Sequence, residues 1–153
     1  MKDTNFDERS YYYLALAYYK KKDSSKAIEY LHKAIEDDET ARSFELLGNA
    51  YFVKRQLYEA EEYYKKAIQK DETLALSHAR LGLLAVKNNN LATAINYYKD
   101  ALKNEPDNVE FKRQLFLVHI RSKDCKAANK MIQALSSHND YDKLKNKLNN
   151  CKE

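Results

Sequence analysis

The chain has 153 residues, of which 44% are hydrophobic and 33% charged, so it carries enough apolar side chains for a packed core. Its 27 basic and 23 acidic residues are interleaved, which disfavours a nucleic-acid-binding protein because such proteins cluster their basic residues. With one proline and two glycines, the sequence favours long helices joined by short connections.

A fixed period organises the middle of the chain. The two glycines, Gly48 and Gly82, stand 34 residues apart, and each follows a leucine. Other residues recur at the same interval: Ala60 and Ala94, Tyr63 and Tyr97, Tyr64 and Tyr98, Lys65 and Lys99, Ala67 and Ala101. A period of this length is typical of stacked helical repeats, which offer surface for partners rather than a catalytic pocket.

Residues 1–7 are interpreted as an N-terminal extension, and a first repeat is predicted at residues 8–40. Its apolar residues have helical spacing: Tyr11, Leu14, Ala15, Tyr18, Ala27, Leu31 and Ala34. This repeat is one residue shorter than the next, near Thr40. Nothing comparable precedes it, so we expect the N-terminal end of the stack to be uncapped.

The second repeat, at residues 41–74, has the clearest pattern. One face of its first helix carries Phe44, Leu47, Gly48 and Tyr51. Its second helix continues with Ala60, Tyr64 and Ala67. These residues resemble the tetratricopeptide repeat, whose pattern W-x-x-L-G-x-x-Y…A-x-x-x-F…P is matched with Phe for Trp and Tyr for Phe. The resemblance implies an all-α fold, a right-handed α-solenoid of antiparallel helix pairs, as one continuous domain at residues 8–151.

The third repeat, at residues 75–108, fits the same pattern and closes at Pro106. A degenerate fourth repeat is predicted at residues 109–142. There Phe116 takes the place of a small residue at which two helices approach closely, so either the helix pair opens wider or the ring fills another gap. Residues 140–151 are predicted to form a capping helix.

The turn inside each repeat often uses glycine to reach a left-handed backbone conformation. The corresponding residues in this chain are Lys22, Arg55, Asn89 and Lys123. Only asparagine tolerates that conformation comparatively well, so these turns should be strained or differently shaped.

By the resemblance, the first helix of each pair lines a concave inner groove. Residues there that are not needed for packing within a pair are unusually apolar, and basic residues outnumber acidic ones. The predicted partner-binding residues are Tyr12, Leu16, Tyr19, Lys20, Arg42, Asn49, Phe52, Val53, Leu76, Leu83, Val86, Lys87, Arg113, Leu117, Ile120 and Arg121. We expect a protein or peptide ligand, apolar with acidic character. The alternative is that much of this surface is buried between repeats.

Some tetratricopeptide domains hold the C-terminal carboxylate of chaperone tails through a set of Lys, Asn and Arg residues. Read from the first repeat, those places hold Tyr12, Leu16, Leu46, Leu76 and Arg80, and read from the second they hold Glu45, Asn49, Arg80, Glu110 and Gln114. Each reading gives a single match, so this type of tail binding is not expected.

No other chemistry is predicted. The four histidines have no metal-ligand spacing, and no phosphate-binding loop or nucleophile motif occurs, so we expect no metal, no cofactor and no enzymatic activity. No run of 18 apolar residues occurs, and the first seven residues lack the apolar stretch of a signal peptide, so we expect neither a membrane span nor a signal peptide. Cys125 and Cys151 are too few for a secreted disulfide scaffold and are interpreted as structural or incidental thiols, their pairing undecided. The expected location is the cytoplasm.

The predicted function is therefore that of a scaffold or adaptor that binds a peptide or helix in its groove. Two alternatives stay open. One is a dedicated assembly or secretion chaperone for a single client. The other is a structural module that self-associates weakly, in line with the run of residues 11–14, Tyr-Tyr-Tyr-Leu.

Overall fold

The computed structural model describes residues 8–151, except for the side chains of Glu8 and Asp37. The predicted extension at residues 1–7 lies outside this range. The described residues fall into two compact units, residues 8–72 and residues 73–151. Within the described residues every regular element is helical, as predicted, and no helix among them is long and apolar enough to cross a membrane.

The first unit contains two helix pairs. Its helices are α1 (Glu8–Lys20), α2 (Ser24–Asp37), α3 (Ala41–Val53) and α4 (Leu57–Lys70). Helix α1 packs on α2, α2 on α3, and α3 on α4. Each pair buries small residues at its centre, such as Ala15 with Ala27 and Ala50 with Ala60, all fully buried. Small side chains let the two helices of a pair approach closely.

The second unit contains two further pairs and a terminal helix. Its elements are α5 (Ala75–Lys87), α6 (Leu91–Asn104), α7 (Val109–Arg121), α8 (Cys125–Met131), a 3₁₀ turn (Ile132–Leu135) and α9 (Tyr141–Asn149). Helix α5 packs on α6, α6 on α7, and α7 on α8, while α9 contacts α8 and the 3₁₀ turn.

The four turns inside the pairs share one geometry. Lys22, Arg55, Asn89 and Lys123 have φ angles of 63°, 61°, 57° and 62°. Of the two expectations, strained turns and turns of a different shape, the structure therefore shows the first. The left-handed conformation costs about 1–2 kcal/mol for each non-glycine residue. A backbone hydrogen bond at the end of the first helix of each pair offsets this cost. In the first pair the amide of Asp23 donates to the carbonyl of Tyr18 at 3.0 Å. Asp23, Asn90 and Asp124 then cap the helices that follow.

The two glycines sit where a tyrosine ring crosses the paired helix. A Cβ atom on Gly48 would lie 2.6 Å from Cδ1 of Tyr64, whereas one on Gly82 would lie 3.0 Å from Cε2 of Tyr98. Tyr64 is fully buried, and its hydroxyl donates to Oδ1 of Asn49 at 2.8 Å. The ring of Tyr64 is therefore held from two sides and has little room to withdraw.

We expect Gly48→Ala to lower the free energy of unfolding, although alanine favours a helix over glycine by about 1 kcal/mol. Overpacking in a buried site costs about 1–3 kcal/mol, and the Tyr64 ring cannot move without losing its bond to Asn49. Gly82→Ala is the matched variant, and its looser contact predicts a smaller effect. Urea unfolding followed by circular dichroism measures both. Equal stability of the two variants would contradict this explanation.

The fourth helix pair departs from the others at Phe116. The ring does not open the pair to solvent, because Phe116 is fully buried with Ile132, Leu135 and Leu144. The ring packs with residues of α8, the 3₁₀ turn and α9. Helix α8 is correspondingly short, with 7 residues against 14 in α2, α4 and α6, and gives way to the 3₁₀ turn at Ile132.

Cys125 and Cys151 form a disulfide that joins the start of α8 to the residues after α9. The interpretation of these residues as thiols was therefore wrong. The two sulfurs meet because α9 folds back on α8 and the 3₁₀ turn, an arrangement that no local sequence pattern encodes. The helix itself, α9, lies within the segment predicted to form a cap and buries Leu144.

Candidate functional site

The first unit has a pocket of about 410 Å³ where α1, the end of α2 and the start of α3 meet. We call it the α1–α3 pocket. It is lined by Arg9, Tyr12, Tyr13, Ala34, Asp38, Thr40, Arg42 and Ser43. The residues of α1 are three and four positions apart and so share a face. Thr40 caps α3 by accepting from the amide of Ser43 at 3.1 Å, which fixes the wall that carries Arg42.

Charge in the α1–α3 pocket is predominantly positive, with two arginines against Asp38. Burial raises the pKa of Tyr12, partly opposed by the guanidinium of Arg42, and Glu45 raises it further. Tyr12 therefore keeps its proton at neutral pH and can donate a hydrogen bond. Tyr13 is 65% exposed and adds apolar surface at the rim. Such a wall suits a carboxylate with an adjacent apolar group.

The second unit has a cleft of about 160 Å³ between α5 and α7, with Tyr98 of α6 at its floor. We call it the α5–α7 cleft. It is lined by Leu76, Ala79, Arg80, Leu83, Tyr98, Glu110, Phe111 and Gln114. Leu76 is 39% exposed and Leu83 is half-buried, so apolar surface remains open to a ligand.

Two polar residues of the α5–α7 cleft, Glu110 and Gln114, are hydrogen-bonded to each other. Glu110 accepts from Arg113 at 3.2 Å and from Gln114, so its charge is largely balanced. Burial raises the pKa of Tyr98 to about 12, with Glu110 adding to the effect and Arg80 opposing it. Tyr98 stays neutral under all ordinary conditions. The cleft therefore behaves mainly as an apolar slot.

A third cavity lies beside the disulfide in the second unit. It measures about 500 Å³ and is lined by Ile120, Lys123, Asn146, Lys147, Asn150 and Cys151. Its walls come largely from exposed side chains of α9 and its end, together with Ile120 and Cys151.

The predicted partner-binding residues divide into three groups. Tyr12 and Arg42 line the α1–α3 pocket, Leu76 and Leu83 the α5–α7 cleft, and Ile120 the third cavity. A second group makes structural contacts in the described residues: Asn49, Val86, Arg113, Leu117 and Arg121. The others lie outside these cavities: Leu16, Tyr19, Lys20, Phe52, Val53 and Lys87.

Arg121 illustrates why groove residues can have structural roles. It donates to the backbone carbonyl of Val86 at 3.3 Å and to Oδ1 of Asn89 at 2.9 Å, which ties α7 to the turn after α5. The α1–α3 pocket and the α5–α7 cleft are also lined by residues that were not predicted to bind a partner, among them Tyr13 and Phe111. A count around each helix assigns a face, but the register between α5 and α7 decides which side chains meet. No sequence signal marks that register.

Models described as "Tetratricopeptide repeat" match residues 8–41, 41–73 and 79–128, well over half of the chain. The chain belongs to the tetratricopeptide repeat family, with about four repeats, as its sequence predicted. Membership of this family supports a protein-interaction module. Among curated proteins, no relative matches the chain.

Solved structures show the same fold. The crystal structure of MamA is 20% identical, with a TM-score of 0.74 over 95% of this chain and 83% of that one. YrrB, described as "a TPR protein with an unusual peptide-binding site", is 22% identical, with a TM-score of 0.79 over 87% and 69%. The TPR2B domain of yeast Sti1, solved in a complex with pHsp70, is 20% identical, with a TM-score of 0.66 over 73% and 98%. These likenesses bear out the predicted fold class.

Proposed function

We propose that this protein is a non-enzymatic adaptor that binds a linear segment of another protein. The α5–α7 cleft carries this proposal, because it combines open apolar side chains with a floor formed by the buried ring of Tyr98. Its volume of about 160 Å³ lies below the roughly 300–1,000 Å³ of pockets for whole small molecules. A cleft of that size suits one aliphatic or aromatic side chain of a peptide.

The α1–α3 pocket supports a second feature of the ligand, its acidic character. Arg9 and Arg42 are exposed, and Tyr12 supplies a neutral hydroxyl beside them. A peptide carboxylate would gain charge-assisted hydrogen bonds from these groups. Two or three apolar anchors at about 1.5–3 kcal/mol each, less the cost of ordering a peptide, correspond to roughly micromolar affinity. Such affinity suits a reversible adaptor.

Leu83→Asp tests the cleft. Peptides selected from a display library on the immobilised full chain should share an apolar residue. The substitution should weaken their binding about tenfold or more, since a carboxylate in the slot removes the anchor. Ala92→Asp is the matched control because it adds the same charge to an exposed position of the same unit. Unchanged affinity in a folded Leu83→Asp variant would eliminate the cleft as the site.

Arg42→Glu tests the pocket in the same assay. Acidic peptides should bind more weakly, and the loss should shrink at high salt because the contact is electrostatic. Arg55→Glu makes the same charge change at an exposed residue outside the pocket. If the two variants behave alike, net charge rather than the pocket governs binding.

A dedicated chaperone for one client is the alternative proposal, and it differs in a measurable way. A chaperone would keep its client soluble during co-expression, whereas an adaptor would leave client solubility unchanged. Weak self-association remains a further prediction, which mass measurements over a wide concentration range address. The proposed location is the cytoplasm, but the disulfide weighs against it because disulfides persist in oxidising compartments.

A further inference from the structure

Three tyrosine rings of the first helix pair form a stack, which we call the first ladder: Tyr11, Tyr18 and Tyr30. Tyr18 and Tyr30 lie 5.4 Å apart between ring centroids and are parallel to within 6°. Tyr11 stacks on Tyr30 at 6.4 Å. Two lysines of α2 lie over these rings, Lys33 at 5.0 Å from the centroid of Tyr30 and Lys26 at 5.1 Å from that of Tyr18.

The second helix pair repeats this arrangement 33 residues later in the sequence. We call its rings the second ladder: Phe44, Tyr51 and Tyr63. Tyr51 and Tyr63 lie 5.3 Å apart and are parallel to within 4°, and Phe44 stacks on Tyr63 at 6.2 Å. Lys66 lies over Tyr63 at 5.2 Å, as Lys33 lies over Tyr30. The two ladders are therefore the same structural element.

Helix α2 covers the second ladder. Its His32 ring meets Tyr51 and Tyr63 edge-on, at centroid distances of 6.5 and 6.1 Å. Nε2 of His32 lies 3.2 Å from the hydroxyl of Tyr51, within hydrogen-bond distance. Seven residues earlier on the same face, Ser25 accepts from Lys54 at 3.2 Å. The second ladder and Lys54 thus bind a helix that carries a hydroxyl and, seven residues later, a histidine.

Among the helices that the structure describes, none lies on Tyr18 and Tyr30 of the first ladder as α2 lies on the second ladder. Within residues 8–151, no ring outside the ladder contacts Tyr18 or Tyr30. In the same range the hydroxyl of Tyr18, the counterpart of the Tyr51 hydroxyl, has no hydrogen-bond partner. Lys21, the counterpart of Lys54, is exposed. The groups that hold α2 on the second ladder therefore have counterparts on the first ladder in Tyr18, Tyr30 and Lys21.

We propose that the first ladder is a docking surface for an amphipathic helix of a partner protein, lying on it as α2 lies on the second ladder. The partner helix carries a histidine that reaches Tyr18 and Tyr30. Seven residues before that histidine it carries a serine, threonine or acidic residue that reaches Lys21. This surface is separate from the α1–α3 pocket and does not depend on the function proposed for it.

A second copy of the chain does not fit this surface. Its own α2 is already held on its second ladder through His32 and Ser25. The C-terminal helix α9 presents exposed lysines and asparagines, such as Lys143, Lys145 and Asn146, rather than a ring. The proposed occupant is a helix of a different protein.

A synthetic helix with the sequence of residues 23–39 is the probe, and the full chain labelled with ¹⁵N is the target. A side-chain crosslink between the positions of Ala27 and Leu31 holds the peptide helical on a face away from His32. We expect amide shifts around Tyr18, Lys26 and Tyr30. A peptide with His32→Ala should bind about tenfold more weakly, because it loses both the ring contact and the hydrogen bond.

Variants of the protein distinguish a specific contact between the peptide and Tyr18 from non-specific binding. Tyr18→Phe keeps the ring and removes only the hydroxyl, so it should weaken the peptide by a smaller factor than His32→Ala does. Tyr58→Phe, at a tyrosine that is 76% exposed on α4, is the matched control and should change nothing. The proposal is overturned if no shifts occur, if they map to the α5–α7 cleft, or if both peptides bind equally. A dimer that buries the first ladder would also overturn it.

Discussion

Replacing Phe116 with alanine is expected to lower the free energy of unfolding by about 3–5 kcal/mol, because it empties a fully buried site. The ring lies against Ile132, Leu135 and Leu144. It therefore joins α7 to both the 3₁₀ turn and α9, and alanine would leave a cavity that these short elements cannot close. Urea unfolding followed by circular dichroism measures the loss.

Phe116→Gly makes this prediction sharper. The second and third repeats have glycine, Gly48 and Gly82, at the position equivalent to Phe116. The repeat pattern by itself therefore predicts that the protein tolerates Phe116→Gly. The packing predicts the opposite, a loss greater than for alanine, because glycine also weakens a helix by about 1 kcal/mol. Val53→Ala, at a position 56% exposed, should change stability by less than about 0.5 kcal/mol. A stable Phe116→Gly variant would show that the ring's packing does not hold these elements together.

Removing the disulfide by Cys125→Ser with Cys151→Ser is expected to cost about 3.5 kcal/mol if the bond acts by restricting the entropy of the unfolded chain. The bond spans 26 residues of sequence, and that loop includes all of α9. Helix α9 buries one residue, Leu144, and packs only Tyr141 and Leu148 half-buried against the same cluster, so few side chains hold it. Hydrogen exchange should show faster exchange of α9 amides in the double variant, while α5 and α6 stay protected.

A reductant provides the control for this second prediction. It should reproduce the double variant when added to the natural chain and should leave the double variant itself unchanged. Titration of the native protein with a thiol reagent should find no accessible thiol until reductant is added. Two reactive thiols in the untreated native protein would contradict the pairing of Cys125 with Cys151.

Most of the architecture was predictable from the sequence, because a repeat encodes its fold locally. Leu-Gly at 34-residue spacing, with tyrosine and alanine at fixed offsets, defines helix pairs whose contacts lie within one period. The family matches at residues 8–41, 41–73 and 79–128 follow from that local information. The left-handed turns at Lys22, Arg55, Asn89 and Lys123 could also be located, because a short turn between antiparallel helices needs that conformation.

The binding surfaces were less predictable. A helical count identified Tyr12, Arg42, Leu76 and Leu83, which line the two cavities. It could not separate them from Arg121, whose guanidinium is held by Val86 and Asn89. Whether a side chain on a given face meets a ligand or a neighbouring helix depends on the register between helices. That register is set by packing over tens of residues.

What the sequence by itself determined is the class of protein, the number of helix pairs and the places where they turn. Each of these depends on residues a few positions apart. Only the tertiary structure decided the pairing of Cys125 with Cys151, the burial of Phe116 beneath α9 and the likeness of the two ladders. These features bring together side chains from separate helices. The distances between these side chains depend on how the helices pack. No local pattern in the sequence encodes that packing.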